Sequence, residues 1–355
     1  MKKLNFEICF HIFTVLLLVT ASLHLYLSSP YKPPSYRILP GKVVKTVDDI
    51  DYNAPIKIGC QKVWIKAGKR VYEFDNMLRG NWLLDEYFQK GEPVIALIEG
   101  SNLLYVTSPK VAVEVVFIIL FLLSVILVGG KAGVRTAISL FYTAIIIFFL
   151  LYPLILNGAD PLLSCVFAAV AITFLTMITV AGMNVKALAA TLSSLLGMFT
   201  ALVLGYSGIL AMNLNPGGFS EFAQMLFFSG HFLNLHRLFC GIIVLASLGA
   251  IMDVSIDIAS GLYELKRNAE VDEKTLFRSG MNIGRDIIGT MASTLILVYA
   301  GTMAAAVLFF MAKKSPIELV MDYNFIACEV LLAMSGSIAL TLTIPFTAFV
   351  CSKLY

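Results

Sequence analysis

From Val111 onward the chain is a succession of apolar runs, each near the length that crosses a bilayer: 111–128, 134–156, 162–181, 187–210, 238–261, 283–311 and 324–350. About 20 apolar residues in a helix span the ~30 Å hydrocarbon layer, and in lipid each segment must satisfy its own backbone N–H and C=O groups. Helices are therefore the expected solution. Another run, 8–27, follows Lys2 and Lys3. It lacks a clean A-x-A cleavage site, so an uncleaved anchor is favoured over a signal peptide. Together these predict a polytopic α-helical membrane protein of about eight transmembrane helices. The 59% apolar composition agrees, since soluble domains hold about 45–50%.

Residues 28–110 have a different character. Pro30, Pro33, Pro34 and Pro40 form a stiff linker. Alternating stretches follow at Gly41–Val47, Val63–Lys66, Arg70–Phe74 and Val94–Ile98, broken by Gly68, Gly80, Gly91 and Pro93. Period-two alternation between turn residues predicts a small β domain, a five- or six-stranded barrel or sandwich. Trp64, Tyr72, Phe74 and Trp82 are its expected core, with an aromatic ligand face as the alternative. The domains are then 1–27 (anchor), 28–110 (β-rich, extracytoplasmic) and 111–355 (seven helices).

Lysine and arginine in short loops set orientation. Lys131 with Arg135, then Lys186, then Lys266, Arg267, Lys274 and Arg278, and finally Lys353 all alternate onto the side of Lys2 and Lys3. The other side holds Arg237 and Lys313-Lys314. Both termini are expected in the cytoplasm of a cell whose plasma membrane holds the chain.

Cys9, Cys60, Cys165, Cys240, Cys328 and Cys351 form no C-x-x-C pair and no disulfide framework. His11 and His24 on the first run are read as packed or interfacial. The stretch Met212–Arg237 carries His231 and His236, read as part of an interfacial or re-entrant segment, with a metal site as the alternative. The charged connector Leu262–Arg278 reads as solvated and helix-like. No phosphate-binding glycine loop appears, no cofactor is implied, and nothing points to nucleic acid.

The acidic residues at the edges of the apolar runs carry the chemistry. A charged side chain at a membrane helix centre costs about 2.5–3.5 kcal/mol on insertion scales. Ala246, Gly249, Ala250, Asp253, Asp257 and Ser260 fall on one helical stripe, and Asn282, Asp286, Gly289 and Ser293 on another. Small residues let membrane helices approach closely, so both stripes are expected to face inward. Arg285 is expected to pair Asp257, leaving Asp253 for a substrate or proton. For Asn282 and Asp286 the alternative is helix capping. Gly182-Met183-Asn184-Val185 and Gly280-Met281-Asn282-Ile283 form a weak parallel repeat, which groups Asn184 with these residues.

Gly249-Ala-Ile-Met-Asp253, Ser279-Gly-Met-Asn-Ile-Gly-Arg-Asp286 and Gly129-Gly-Lys-Ala-Gly-Val-Arg135 closely resemble the YibE/F family of bacterial integral membrane proteins, across about residues 111–351. The resemblance implies a polytopic bacterial membrane protein and leaves the activity to the residues. The favoured reading is a transporter or permease for a small ion or solute, through Asp253, Asp257, Asn282, Arg285, Asp286 and Asn184. One alternative is a buried ion-pair network that only locks two helices. Another is a sensor or assembly subunit that uses the β domain. An aspartate-dependent intramembrane enzyme built on Asp253 and Asp286 is less favoured, because the G-x-G-D, H-E-x-x-H and G-x-S-x-G patterns are absent. The expected partners are the lipid bilayer and either a second copy or another membrane subunit.

Overall fold

The computed structural model describes residues 11, 13–22, 24–25, 36–51, 57–81, 85–100, 102–228 and 233–355. Lys2, Lys3, Cys9, Pro30, Pro33, Pro34, Trp82 and His231 lie outside them. The chain divides into two compact units, Lys32–Ser124 and Met1–Tyr31 with Val125–Tyr355.

The first unit holds five strands: β1 (Arg37–Asp51), β2 (Ile58–Ala67), β3 (Arg70–Arg79), β4 (Pro93–Glu99) and β5 (Asn102–Thr107). They form one antiparallel sheet in the order β3-β2-β1-β4-β5. The 15-residue β1 serves two neighbours, pairing β4 through Arg37–Lys42 and β2 through Gly41–Asp51. An irregularity between Val43 and Lys45 interrupts its register, and such bulges bend a strand. The edge strands β3 and β5 meet, so the sheet curls toward a small barrel and does not split into a two-sheet sandwich.

Alternation along β2 decides the core. Gln61, Val63, Ile65 and Ala67 are buried, while Lys62 and Lys66 face out and Trp64 is only half-buried. Val43, Val63, Ile65, Phe88, Val94 and Val106 form the main cluster, and Ala67, Ala96 and Ile98 a second. This corrects the aromatic core expected from composition. Phe74 and Tyr72 only flank these clusters, and Trp64 sits between two inward positions, with the Lys45 ammonium 4.8 Å from its ring centre. With a side-chain period of two, the register that buries Val63 and Ile65 turns Trp64 away.

Two polar groups complete this unit. Buried Gln61 donates to Asp48 Oδ1 (2.9 Å) and the Phe88 carbonyl (2.9 Å), and accepts from the Phe88 N–H (3.0 Å) and Asn76 Nδ2 (3.3 Å). Glu86 accepts from the Ser108 N–H (2.8 Å), Thr107 Oγ1 (3.2 Å) and Lys110 Nζ (2.6 Å). The loop that carries Glu86 thereby clamps the junction between β5 and the helix beginning at Val111.

Helices account for the rest. They are α1 (Phe13–Ser22), α2 (Val111–Ile145), a π-helical turn (Ile146–Leu151), α3 (Tyr152–Leu156), α4 (Pro161–Ala181), α5 (Val185–Ala211), α6 (Glu221–Phe228), α7 (Leu235–Asn268), α8 (Glu273–Ala312), α9 (Ile317–Met321) and α10 (Asn324–Leu354). Among the described residues six helical stretches are long and apolar enough to cross a membrane, counting Val111–Leu156 as one. That stretch is not straight. Gly130 has φ +53° and ψ −125°, and a Cβ on Gly133 would lie 2.1 Å from the Val125 carbonyl oxygen. Eight residues of straight helix would separate those levels by about 12 Å, so the chain bends sharply at Gly130.

Helix α7 packs on α4, α5, α8 and α10. Close approach depends on glycine: a Cβ on Gly197 of α5 would fall 2.1 Å from Thr343 Oγ1 of α10. Asp160 caps α4 by accepting from the Leu163 N–H (3.0 Å) and is bridged by Arg237 from the first turn of α7. The backbone N–H bond and the Arg237 guanidinium hold its carboxyl below the usual value against partial burial. His11 Nδ1 lies 2.9 Å from the hydroxyl of buried Tyr142, which fits its reading as a packed histidine.

Candidate functional site

The acidic stripe of α7 is the natural starting point, and its orientation differs from expectation. Leu248, Ile251, Val254, Ile258 and Leu262 are buried, whereas Ala246, Gly249, Asp253 and Asp257 are exposed on the perimeter of the helical unit. Burial of large aliphatic side chains, worth about 1.5–3 kcal/mol each, outweighs the close approach that small residues permit. The small and acidic face is left on the outside of the single chain.

Asp253 is nevertheless not on a flat surface. It rims a groove of about 470 Å3 between α4, α7 and the segment of α2 and the π-turn from Thr136 to Ile147. Four hydroxyls line it, from Thr136, Ser139, Thr143 and Thr176. Ser139 Oγ donates to Thr176 Oγ1 at 3.0 Å, while Thr143 Oγ1 and Thr136 Oγ1 donate to the Ser139 and Ala132 carbonyls at 3.1 Å. Nine of the fifteen lining residues are Leu, Ile, Val or Met, so the groove is an apolar slot with one hydroxyl stripe and one carboxylate. A Cβ on Gly249, one turn from Asp253, would meet no atom within 4 Å.

Ile147 of the lining belongs to the π-turn Ile146–Leu151. Pro153 follows just beyond and cannot donate a backbone hydrogen bond to the preceding turn, which helps explain the widened hydrogen-bond pattern. Isolated π-turns are enriched at functional sites.

The remaining sequence candidates do not converge on Asp253. Asp257 lies one turn along, exposed and outside the groove lining. Among the described residues no ion pair joins Arg285 to Asp253, Asp257 or Asp286. Exposed Arg285 instead donates to Asn282 Oδ1 of its own helix at 3.3 Å. Asn282 and Asp286 are not caps, because α8 begins at Glu273 with Asp272 at its N-cap position. The expected span start at 283 mistook the polar first turns of α8 for a connector. Asn184 is the one that caps, accepting from the Ala187 N–H (2.9 Å) and donating to the Ala181 carbonyl (2.7 Å). The two halves of the weak repeat thus serve different purposes, a turn with a cap in one and mid-helix in the other.

Sequence reasoning passed over the four groove hydroxyls, since isolated Ser and Thr in apolar runs carry no distinctive signal. It also passed over Glu329, a half-buried carboxylate in α10 that accepts from Thr302 Oγ1 of α8 at 3.4 Å. One acidic residue in the run 324–350 was the available clue.

A second cavity, of about 680 Å3, lies near the start of α7 and α10 and is lined by Asn215, Gln224, Asn234, His236 and Asn324 among others. Its asparagines have structural work. Asn234 Oδ1 caps α7 by accepting from the Arg237 N–H (3.1 Å), Asn324 Oδ1 accepts from the Asn215 N–H (3.1 Å), and Asn215 Oδ1 accepts from the Gly217 N–H (3.2 Å). Among the described residues no three His, Cys, Asp or Glu side chains gather to hold a metal ion.

Six apolar helical stretches of crossing length, with a carboxylate-bearing groove among them, define the class: a polytopic helical membrane protein with an appended β domain. The family follows from comparison with known proteins. The model of the YibE/F-like protein family matches residues 117–355, well over half of the chain, and the chain belongs to that family. No curated protein matches it, and no solved structure does.

Proposed function

We propose that the chain is a membrane permease that moves a small ion or solute by way of the Asp253 groove. The supporting observation is the groove itself: a carboxylate without a cationic partner, four hydroxyls and a π-turn meeting in the middle of crossing-length helices. A carboxylate in that setting costs about 2.5–3.5 kcal/mol unless something compensates it, and a proton or a cationic substrate does so. Asp257 extends the acidic path by a turn. Asn282, Arg285 and Asp286 flank the route at one end of α8, and Asn184 positions the start of α5.

The same reading favours eight crossings. Val111–Leu156 has 46 residues, about 69 Å as a straight helix, or more than twice the ~30 Å layer. Divided at Gly130 it supplies two crossings. Five further long helices and α1 bring the total to eight. Lysine and arginine then place the turns at 129–135, 182–186 and 266–278 in the cytoplasm and the β domain outside, in a bacterial plasma membrane.

Flux in proteoliposomes tests the function. Asp253→Asn keeps size and hydrogen bonding but removes charge and the titratable proton. Across a panel of ions and small solutes, wild type should move at least one, and Asp253→Asn should fail to move it while remaining folded and inserted. Wild-type flux in that variant would remove Asp253 from the pathway.

A second reading has its own support. The Glu86 clamp fixes the β5–α2 junction through three hydrogen bonds, an arrangement suited to a β domain that senses a ligand and acts on the helix it adjoins. Loss of flux in Glu86→Gln at saturating substrate, with Asp253 intact, would favour this regulatory role for the domain.

A further inference from the structure

The groove's chemistry also narrows what occupies it, an inference that rests on the permease reading given above. Only one ionisable side chain, Asp253, contributes to its lining, with no lysine, arginine or histidine. An anion would meet an uncompensated carboxylate, and like charges at close range disfavour one another. A divalent metal needs several hard ligands, and Mg2+ or Ca2+ sites gather carboxylates and carbonyls around the ion. Here a single carboxylate stands beside hydroxyls already engaged with one another or with helix carbonyls.

A bare monovalent ion is matched no better. Nine aliphatic or methionine side chains line the slot, and apolar walls return none of the hydration that such an ion gives up. They do reward an apolar body, at roughly 25 cal/mol per Å2 removed from water. A volume of about 470 Å3 lies within the roughly 300–1,000 Å3 range of small-molecule sites, which are mostly apolar with a few fixed polar groups.

The route of entry points the same way. Leu140, Val180, Gly249 and Asp253, which rim the groove, are all exposed on the perimeter of the helical unit, the side that crossing-length helices present to lipid. A molecule already partitioned into the bilayer can enter sideways. We propose that the groove binds an amphiphilic organic monocation, whose charged centre pairs with Asp253 and whose apolar body fills the slot between α2, α4 and α7.

Tetraphenylphosphonium and tetraphenylborate have nearly the same shape and opposite charge, so they separate charge from hydrophobicity. Calorimetric titration of the full-length protein in neutral detergent should show saturable binding of the phosphonium and none of the borate. Asp253→Asn should weaken phosphonium binding by roughly tenfold or more, the equivalent of about 1.4 kcal/mol, and Asp253→Glu should retain it. Gly249→Phe uses the open space beside Asp253 to fill the slot. It should abolish binding while the protein elutes and melts as the wild type does.

Equal binding of both ions, undiminished affinity in Asp253→Asn, or displacement of the phosphonium by equimolar Na+ or K+ would each overturn the proposal. The titration needs no gradient, so its outcome is separate from flux. Phosphonium binding that depends on Asp253, without flux of any solute, supports the occupant and defeats the permease. Asp253-dependent flux of another solute, without phosphonium binding, defeats the occupant and leaves the permease standing.

Discussion

Gln61 has no exposed surface and satisfies itself with four hydrogen bonds, two of them to the backbone of Phe88. Gln61→Met keeps much of the volume but orphans the Phe88 N–H and C=O. Each unpaired buried group costs about 1–3 kcal/mol, so amide exchange in β2 and β3 of the intact protein should accelerate accordingly. Arg285 should behave in the opposite way. Removing one partner of a buried ion pair costs about 3–5 kcal/mol, yet Arg285 is exposed and bonded only to Asn282. Arg285→Gln should therefore shift thermal stability by no more than about 0.5 kcal/mol, and a large loss would reinstate a partner among the aspartates. Glu86 gives a pH dependence. Burial pushes its carboxyl up, but Lys110 and the Ser108 N–H outweigh burial and hold it below the ordinary value. Its contribution is complete above the unfolded value of about 4.3 and is lost as pH falls through the lower folded value. Protection of the Ser108 amide should fall over that acid window in wild type and be low throughout in Glu86→Gln. At this scale the sequence was a partial guide. Asp253 stood out because a carboxylate in an apolar run is costly, whereas Gln61 looked like an ordinary polar strand residue. Its burial follows only from the register that turns Val63 and Ile65 inward.

The elements were easier to read than their ends. Hydropathy located α4, α5, α7, α8 and α10, yet α7 and α8 run through the charged stretch read as a connector, leaving Ala269–Asp272 between them. A helix can leave the apolar layer without ending, and hydropathy reports the layer. Inward and outward faces were misassigned on α7 because small residues were given more weight than the row Leu248, Ile251, Val254, Ile258 and Leu262. The β domain was read correctly as β, but its core was taken from aromatic content when alternation should have decided it. Gly130 supplies the element-level prediction. Its φ of +53° with ψ −125° is a conformation that costs a residue with a side chain about 1–3 kcal/mol, although a Cβ there meets nothing within 4 Å. Gly130→Ala should lower thermal stability by that strain alone. Gly129→Ala, at a neighbour equally open but without positive φ, should be neutral or mildly stabilising.

For the whole molecule the decisive experiment is topological. Cysteine introduced at Lys313, in the turn after α8, should react with an impermeant maleimide applied to intact cells, and cysteine at Glu270, between α7 and α8, should react only after lysis. Labelling of Glu270→Cys in intact cells would invert the proposed arrangement. The family and the division into β and helical parts were legible from composition and from short motifs such as Gly249–Asp253. The groove was not, because it depends on how three helices meet. The order of the strands has a separate consequence, for how the protein is made. All five strands end at Thr107, before α2 begins at Val111, and the Glu86 clamp needs nothing beyond Lys110. A further 245 residues follow Lys110 (355 − 110). At about 5–20 residues per second their synthesis takes roughly 12–50 s, far longer than the millisecond-to-second folding of small β domains. The β domain can therefore be finished and locked while the ribosome is still delivering the helices, and the groove is assembled last.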